Sequence, residues 1–268
     1  MCATRQTEIA DGLEVLHDAT APPSDDLPLA LRRIYGGGLG LDGPRVYANF
    51  VSSVDGVVAL EMAHSPGVIS QRSRADRFVM GLLRARADAV LIGGGTFRSD
   101  PGHAWTPGYI HPEGADDFRE MRRMHGQPDD PKLVIVTGRG ELDPRERALE
   151  GALVVTTDPR SRRQLPSSTE VRVVDEITAP ALIGLLRDEG LGLILSEAGP
   201  RLLGELVSAV CLDDLFLTVS PLLAGSAAPG RKTLSEGMAL SDALATMDLL
   251  SVRREQSHLF LRYTLTRS

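Results

Sequence analysis

The sequence predicts an α/β fold with a mostly parallel central sheet, helices on both faces and an antiparallel C-terminal edge. Short apolar runs alternate with amphipathic helical segments along most of the chain, and this alternation is typical of a parallel sheet covered on both sides. Several of the runs end in glycine-rich turns that lead into a helix. The last run alternates polar and apolar residues, which favours an antiparallel strand.

Composition limits the class of protein. The 268 residues suffice for one large domain or two small ones. The formal net charge of −7 argues against nucleic-acid binding, which needs a basic surface. Cys2 and Cys211 lie far apart, so no disulfide framework or cysteine-ligated zinc site is expected and a reducing cytoplasm suits the chain. We expect no signal peptide and no membrane span, because no apolar run is long enough for either.

Residues 1–43 are predicted to form an N-terminal extension that packs on the domain or on a partner subunit. A short helix is expected over Leu27–Tyr35, and the glycines of Gly36–Gly38 would end it and act as a hinge. Gly43 and Pro44 mark the entry to the main domain, which is predicted to cover residues 44–268.

The main domain is expected to alternate strands and helices. The predicted strands are Val46–Val51, Ala89–Ile92, Lys132–Thr137, Leu153–Thr157, Val171–Val174, Leu193–Ser196, Asp214–Val219 and His258–Thr266. The predicted helices are Ser73–Ala87, Asp116–His125, Pro180–Glu189 and Arg201–Val210. The rest of Gly102–Asp130 has weak periodicity and is predicted to be a long functional or mobile loop.

A glycine-rich turn follows the strand that ends at Ile92. Gly93, Gly94 and Gly95 precede Thr96, and missing Cβ atoms would let a diphosphate approach the backbone at a helix start. A tight turn between strand and helix explains the same residues equally well. The spacing is neither a dinucleotide-binding G-x-G-x-x-G motif nor a phosphate-binding loop with its lysine.

A second turn of this kind follows the strand that ends at Ser196. Glu197 comes at its carboxyl end, where ligands of α/β sheets bind. Its carboxylate could bind a polar ring or hydroxyl group, or it could cap the next helix. Gly199 and the helix start at Pro200 suit a phosphate.

Two further groups of residues have structural alternatives. Asp55 and Gly56 form a favoured hairpin-turn pair. Arg84 lies on a predicted amphipathic helix, where arginine is usually solvated, so it matters only if it faces the site. The motifs of zinc deaminases, zinc proteases and serine hydrolases are absent, and no metal is expected.

Taken in order, these motifs resemble the riboflavin-biosynthesis reductase family: the reductase domain of the bacterial bifunctional deaminase-reductase and its stand-alone homologues. The resemblance covers roughly residues 44–266. It rests on S-V-D-G at Ser53–Gly56, I-S at Ile69–Ser70, L-L-R-A-R-A-D-A-V-L-I-G-G-G-T at Leu82–Thr96, S-D-P at Ser99–Pro101, E-A-G-P-R-L-L-G at Glu197–Gly204, D-D-L at Asp213–Leu215 and S-P-L-L-A-G at Ser220–Gly225.

The resemblance implies a dihydrofolate-reductase-like fold, NADPH as cofactor, a homodimer, and reduction of a phosphorylated ribosylamino-pyrimidine to its ribityl product. The residues it places at the cofactor are Ser52, Gly93, Gly94, Thr96, Asp100, Thr137, Gly138, Arg139, Gly199, Pro200, Arg201, Leu202, Leu203, Gly204 and Glu205. The residues it places at the substrate are Ser70, Arg84 and Glu197. Asp55, Asp100 and Glu197 are the candidate catalytic groups, and the proton could come from water, Asp55 or Asp100.

The sequence departs from the family pattern where an arginine helps to hold the substrate phosphate. The stretch Ala104–Gly108 lacks that arginine. A dihydrofolate or pterin reductase of the same fold is therefore an alternative, since a pterin carries no phosphate. A third possibility is a protein that binds NADPH without turnover.

Overall fold

The computed structural model of the protein describes residues 12–20, 26–60, 65–225, 227, 230–236 and 245–266. The strands are β1 (Glu14–Asp18), β2 (Arg45–Ser53), β3 (Val57–Ala59), β4 (Ala89–Gly93), β5 (Lys132–Thr137), β6 (Leu153–Thr156), β7 (Glu170–Val173), β8 (Leu193–Ser196), β9 (Asp214–Ser220), β10 (Lys232–Thr233), β11 (Met247–Glu255) and β12 (His258–Leu265). The helices are α1 (Leu29–Tyr35), α2 (Ser65–Ile69), α3 (Arg74–Arg86), α4 (Gly94–Ser99), α5 (Pro107–Ile110), α6 (Ala115–Met124), α7 (Ser161–Gln164), α8 (Ala179–Asp188) and α9 (Pro200–Ser208).

Ten strands form one sheet in the order β1-β11-β12-β9-β2-β8-β4-β5-β6-β7. From β9 to β7 every neighbouring pair is parallel. The strands β12, β11 and β1 continue the sheet with antiparallel pairing. The predicted fold class is confirmed, and each predicted strand and helix is present with ends that differ by at most two residues.

The antiparallel C-terminal edge is present, with β11 and β1 beyond β12. The apolar run Asp214–Val219 also predicts a strand that a partner subunit would cover, but β9 lies inside the sheet between β12 and β2. Asp55 and Gly56 do form a turn after β2, yet β3 pairs with β10 instead of folding back as a hairpin partner of β2.

The described part of the N-terminal segment packs as a component of the sheet and its core. β1 pairs with β11, and α1 buries Leu31 and Tyr35. Gly36 ends α1 with φ of +78°, and a Cβ added there would lie 2.6 Å from Val15 Cγ2. The glycine is therefore required both by its backbone conformation and by close packing against β1.

Two apolar layers cover the sheet. The layer that contains α1, α3 and α6 packs on one face, and the layer that contains α8 and α9 packs on the other. Residues alternate between the layers along each strand, as the period of two requires. Side chains at the carboxyl ends of the parallel strands therefore reach the face of α3 or the face of α9. In the described part of the chain, every helix is too short or too polar to cross a membrane.

Candidate functional site

The predicted site residues converge where the parallel strands end. Ser52 is the last residue but one of β2, Gly93 ends β4, and Glu197 follows β8. In the sheet β8 lies between β2 and β4. Ligands of open α/β sheets bind at this edge, beyond the carboxyl ends of the strands. The Oγ atoms of Ser196 and Ser220 at the same edge are buried without a hydrogen-bond partner.

Glu197 is held by a bidentate ion pair with Arg84. Arg84 Nε donates to Oε1 at 2.9 Å and Nη2 donates to Oε2 at 2.7 Å. The side chains are 1% and 8% exposed. Arg84 reaches back along α3 toward the helix N-terminus, as long helical side chains do. Arg84 therefore faces the site and is not solvated. Its guanidinium group binds the Glu197 carboxylate from the α3 face.

His103 extends this pair to Asp100. Arg84 Nη2 lies 3.3 Å from His103 Nε2, and His103 Nδ1 lies 2.9 Å from Asp100 Oδ2. A guanidinium group only donates, so Nε2 must accept and Nδ1–H must donate to Asp100. Burial, together with the charge of Arg84, lowers the pKa of His103. The imidazole is therefore neutral and links Asp100 to Arg84.

The segment around His103 also holds Arg84. Arg84 Nη1 donates to the carbonyl oxygens of Ala104 and Thr106, each at 3.4 Å. The ring of Trp105 lies with its centroid 4.7 Å from that of His103. Sequence reasoning missed His103, which it placed in a long loop. The available signal was the histidine three residues after Asp100.

Asp55 has a different environment. Its carboxylate accepts hydrogen bonds from Ser53 Oγ at 2.6 Å and from the N–H groups of Ala224 and Gly225 at 3.1 and 2.8 Å. The Ser53 bond is the main reason that the pKa of Asp55 falls to about 2. Asp55 is therefore ionised near neutral pH, and it ties the turn after β2 to the chain after β9.

Glycines leave open space at the part of the edge where the sequence predicts the cofactor. A Cβ built at Gly93, Gly95 or Gly199 would meet no atom within 4 Å. Gly94 differs, because a Cβ there would lie 2.9 Å from the side chain of Thr137. Gly94 therefore serves the packing of α4 on β5, while the other glycines leave room beside the backbone. Thr96, in the first turns of α4, is half-buried.

The N-terminus of α9 lies at the same edge of the sheet. Gly199 is the N-cap and Pro200 occupies the first turn, where the helix leaves N–H groups without intrahelical partners. The side chain of Leu203 and the backbone of Gly204 are buried in the layer of α8 and α9. Arg201, Leu202 and Glu205 lie on the more exposed side.

A cleft of about 400 Å³ lies past the end of β5. Gly138, Arg139 and Arg160 line it together with Glu141, Thr157, Asp158 and Pro159. Arg139 is exposed. Arg160 donates to both carboxylate oxygens of Asp158. Two guanidinium groups thus border one cleft, and sequence reasoning named only Arg139.

Ser70 lies near the N-terminus of α3. It is 4% exposed, and its carbonyl oxygen accepts a hydrogen bond from His258 Nε2 at 3.1 Å. The structure therefore places Ser70, Arg84 and Glu197 on the α3 face of the strand ends. The glycine turn before α4 adjoins the same layer, which contains Phe97, whereas α9 packs on the other face of the sheet.

Comparisons with known proteins identify the family. The model of the RibD C-terminal domain matches residues 44–259. The 2,5-diamino-6-ribosylamino-4(3H)-pyrimidinone 5′-phosphate reductase of Archaeoglobus fulgidus is 25% identical over 190 residues, which are 68% of this chain and 82% of that protein. Riboflavin biosynthesis protein RibD of Escherichia coli is 25% identical over 206 residues, or 75% of this chain and 54% of that protein.

Solved structures share the fold. Acinetobacter baumannii RibD superposes with a TM-score of 0.67 and 21% identity, covering 85% of this chain and 60% of that one. A pyrimidine reductase-like protein of Corynebacterium diphtheriae gives a TM-score of 0.69 and 19% identity, covering 90% and 96%. Because the family model spans most of the sequence, from β2 into β12, this chain belongs to the RibD C-terminal domain family.

Proposed function

We propose that the protein is an NADPH-dependent reductase of riboflavin biosynthesis, which reduces 5-amino-6-(5-phosphoribosylamino)uracil to the ribitylamino product by hydride transfer. The observation that carries the proposal is the Arg84–Glu197 pair at the carboxyl ends of the parallel strands, in a chain of a family whose named relatives include a pyrimidinone 5′-phosphate reductase. A carboxylate held in one orientation suits the N–H donors of an aminopyrimidine ring.

The cofactor side of the edge fits a dinucleotide. Gly93, Gly95 and Gly199 leave open space beside the backbone, and the start of α9 offers N–H groups to a diphosphate. Arg139 and Arg160 border a cleft that suits the adenosine 2′-phosphate. Bound NADPH would supply the hydride, while the protein orients the two reactants and excludes water.

Glu197 is proposed to bind and orient the pyrimidine. Arg84 fixes both carboxylate oxygens, and Asp100 acts through His103 as a positioning residue for Arg84. The carbonyl oxygens of Ala104 and Thr106 accept hydrogen bonds from Arg84. The stretch around these two residues lacks the arginine expected to bind a substrate phosphate. Because a pterin carries no phosphate, the absence of this arginine favours a dihydrofolate or pterin reductase as the second candidate.

A turnover assay tests the proposal. Purified protein should oxidise NADPH in the presence of 5-amino-6-(5-phosphoribosylamino)uracil and should be inactive with dihydrofolate. The reverse preference would replace the proposed substrate by a pterin. Binding of NADPH without oxidation by any of these substrates would identify a non-catalytic binding protein.

Cofactor preference tests the role of Arg139. We expect NADPH to bind at least about tenfold more tightly than NADH, because a hydrogen bond to a charged group contributes about 1.5–3 kcal/mol. Fluorescence titration of Arg139→Ala should show a narrower preference. Arg147→Ala, an exposed arginine outside the cleft, is the matched control. Equal affinities of the unaltered protein for the two cofactors would contradict the assignment.

We also propose a cytoplasmic homodimer, as the family resemblance implies. Val15, Leu16, Met247 and Leu249 are exposed apolar side chains on the outer strands β1 and β11, and covering such an edge favours association. Light scattering on the full chain measures the assembly, and a monomer at all concentrations would contradict it.

A further inference from the structure

The segment after α4 carries a line of aromatic rings that the polar contacts around Glu197 do not explain. The ring centroid of His103 lies 4.7 Å from that of Trp105 and 4.7 Å from that of Tyr109. Trp105 in turn stacks on Phe97 of α4, with the ring centroids 5.5 Å apart. We call His103, Trp105 and Tyr109 the aromatic wall, since their ring contacts continue from α4 to α5.

Tyr109 is the exposed end of the aromatic wall. Its side chain is 50% exposed, whereas Trp105 is buried. The backbone N–H group of Tyr109 donates to Oγ1 of Thr106, the N-cap of α5, at 3.3 Å. Its ring meets the His103 imidazole at an angle of 65°, the T-shaped arrangement that aromatic pairs favour. The exposed part of the Tyr109 ring is therefore held in a defined place.

The aromatic wall lies directly beside the strand-end ion pair. Arg84 Nη2 is 3.3 Å from His103 Nε2, and the same nitrogen donates to Glu197 Oε2 at 2.7 Å. The side chains of Arg84 and His103 thus connect the Glu197 carboxylate to the ring of Tyr109. A ligand whose pyrimidine ring binds Glu197 has its pentose one ring-width further away. That pentose can reach the exposed ring of Tyr109.

The guanidinium group at this place has no donor left for a phosphate. An arginine side chain has five N–H donors. Nε of Arg84 donates to Glu197, Nη1 donates to the carbonyl oxygens of Ala104 and Thr106, and Nη2 donates to Glu197 and His103. These five contacts use all the donors of Arg84, so its charge serves the protein and Glu197.

The segment that forms the aromatic wall supplies no other cation. Residues 104–110 contain neither lysine nor arginine. A Cβ built at Gly108 would lie 3.3 Å from the Cβ of Ala115, so α5 packs too closely there to admit a long side chain. Beside the exposed ring of Tyr109, this segment therefore offers a neutral phenol where a phosphate would need a positive charge.

We propose that Tyr109 is a specificity-determining residue that packs against the pentose of the substrate, so that the site selects the pentose and not its phosphate. The inference rests on the proposed function. The C–H groups of a pentose pack against an aromatic ring, and the phenol hydroxyl bonds a sugar hydroxyl. The substrate class is therefore aminopyrimidines with a ribosylamino group, whether or not that group is phosphorylated.

The test compares two substrates on the full chain: 5-amino-6-(5-phosphoribosylamino)uracil and the same compound without its phosphate. We expect kcat/KM for NADPH oxidation to agree within about threefold, because hydrogen bonds from a charged group to the phosphate would separate the two by about tenfold or more. A preference of more than about tenfold for the phosphorylated compound would overturn the proposal.

Substitutions at Tyr109 sharpen this comparison. Tyr109→Ala should raise KM for both compounds by about tenfold and change kcat little, because the ring binds the substrate and the transition state alike. Tyr109→Phe should keep most of the affinity. Tyr109→Arg should create a preference of about tenfold or more for the phosphorylated compound. Met124→Ala removes a side chain on α6 that is also 50% exposed, and this control should leave KM unchanged. An unchanged KM in Tyr109→Ala would refute the role of Tyr109.

A binding measurement separates this proposal from the proposed function. Trp105 is the only tryptophan of the chain, so its fluorescence should report binding of the ribitylamino product, with or without phosphate, beside the aromatic wall.

Equal affinity for both products, weakened in Tyr109→Ala, supports the role of Tyr109 even if neither substrate is reduced, in which case the reductase assignment alone fails. Turnover with a strong phosphate preference that Tyr109→Ala leaves unchanged overturns the role of Tyr109, and the reductase assignment stands. If neither product binds and neither substrate is reduced, both fail.

Discussion

Two regions of the sheet bury arginine–carboxylate pairs. One is the strand-end site, where Arg84 meets Glu197. The other is the antiparallel edge, where Asp214 is fully buried and pairs with Arg45 at 3.0 Å and with Arg262 at 2.8 Å. Both pairs join different strands of the sheet. Arg262 also donates to the Leu39 and Gly40 carbonyl oxygens.

A second arginine at the antiparallel edge follows the same pattern. Arg253 is 1% exposed and donates to Asp18 at 2.7 Å and to the Tyr35 carbonyl oxygen at 2.8 Å. Its guanidinium group also lies 4.0 Å from the centroid of the Tyr35 ring. The edge therefore joins the N-terminal segment to the last strands.

The difference shows that a buried ion pair does not by itself identify a functional site. Buried pairs are weak evidence even for stability, because desolvation offsets much of the attraction. What distinguishes the strand-end site is its position at the carboxyl ends of parallel strands, where ligands of α/β sheets bind. The following changes test this distinction.

The largest effect is expected from a truncated chain that starts at Asp42. Among the described residues of the removed segment, six hydrophobic side chains are buried: Leu13, Leu27, Leu31, Tyr35, Leu39 and Leu41. At about 1.5–3 kcal/mol each, they contribute as much as the 5–15 kcal/mol that is typical of a whole domain. We expect no cooperative thermal unfolding, whereas a chain that starts at Gly12 should melt normally. A truncated chain with unchanged melting temperature and mass would support a domain that begins at residue 44.

A smaller loss is expected from Asp214→Asn. It leaves Arg45 and Arg262 without their carboxylate, and breaking a buried pair costs about 3–5 kcal/mol. Denaturant titration measures the change, while the affinity of the folded protein for NADPH should stay the same. Glu14→Gln breaks the exposed pair with Arg254 at the same edge and should cost at most about 1 kcal/mol. Equal losses in the two variants would show that burial does not distinguish these pairs.

Glu197→Gln should affect activity more than stability. The amide of this variant would offer Arg84 one acceptor oxygen in place of two, and we expect turnover to fall about 10- to 100-fold, since a hydrogen bond to a charged group contributes about 1.5–3 kcal/mol. The affinity for NADPH should not change. Glu120→Gln, an exposed acid on α6, is the control. Full activity of Glu197→Gln would make the strand-end pair structural, like the pairs of the antiparallel edge.

Sequence patterns predicted the strands and helices whose apolar faces are continuous. They failed for β1, whose five residues are all exposed, and for β11, which carries a buried arginine at Arg253. The glycine turns and Glu197 were located because they follow buried strands. The Arg84–Glu197 pair joins residues 113 positions apart, and His103 has no local pattern that separates it from other loop residues. Only tertiary packing brings His103 to Arg84 and Asp100.

The pairing of β1 with β11 also sets an order of events on the ribosome. Glu14 and Arg254 pair across 240 positions of sequence. At a translation rate of about 5–20 residues per second, β1 emerges roughly 10–50 s before its partner exists. During that interval the buried side chains of α1 lack the last strands against which they pack. Completion of this edge is therefore a late step of long loop closure, the kind of contact that slows folding most.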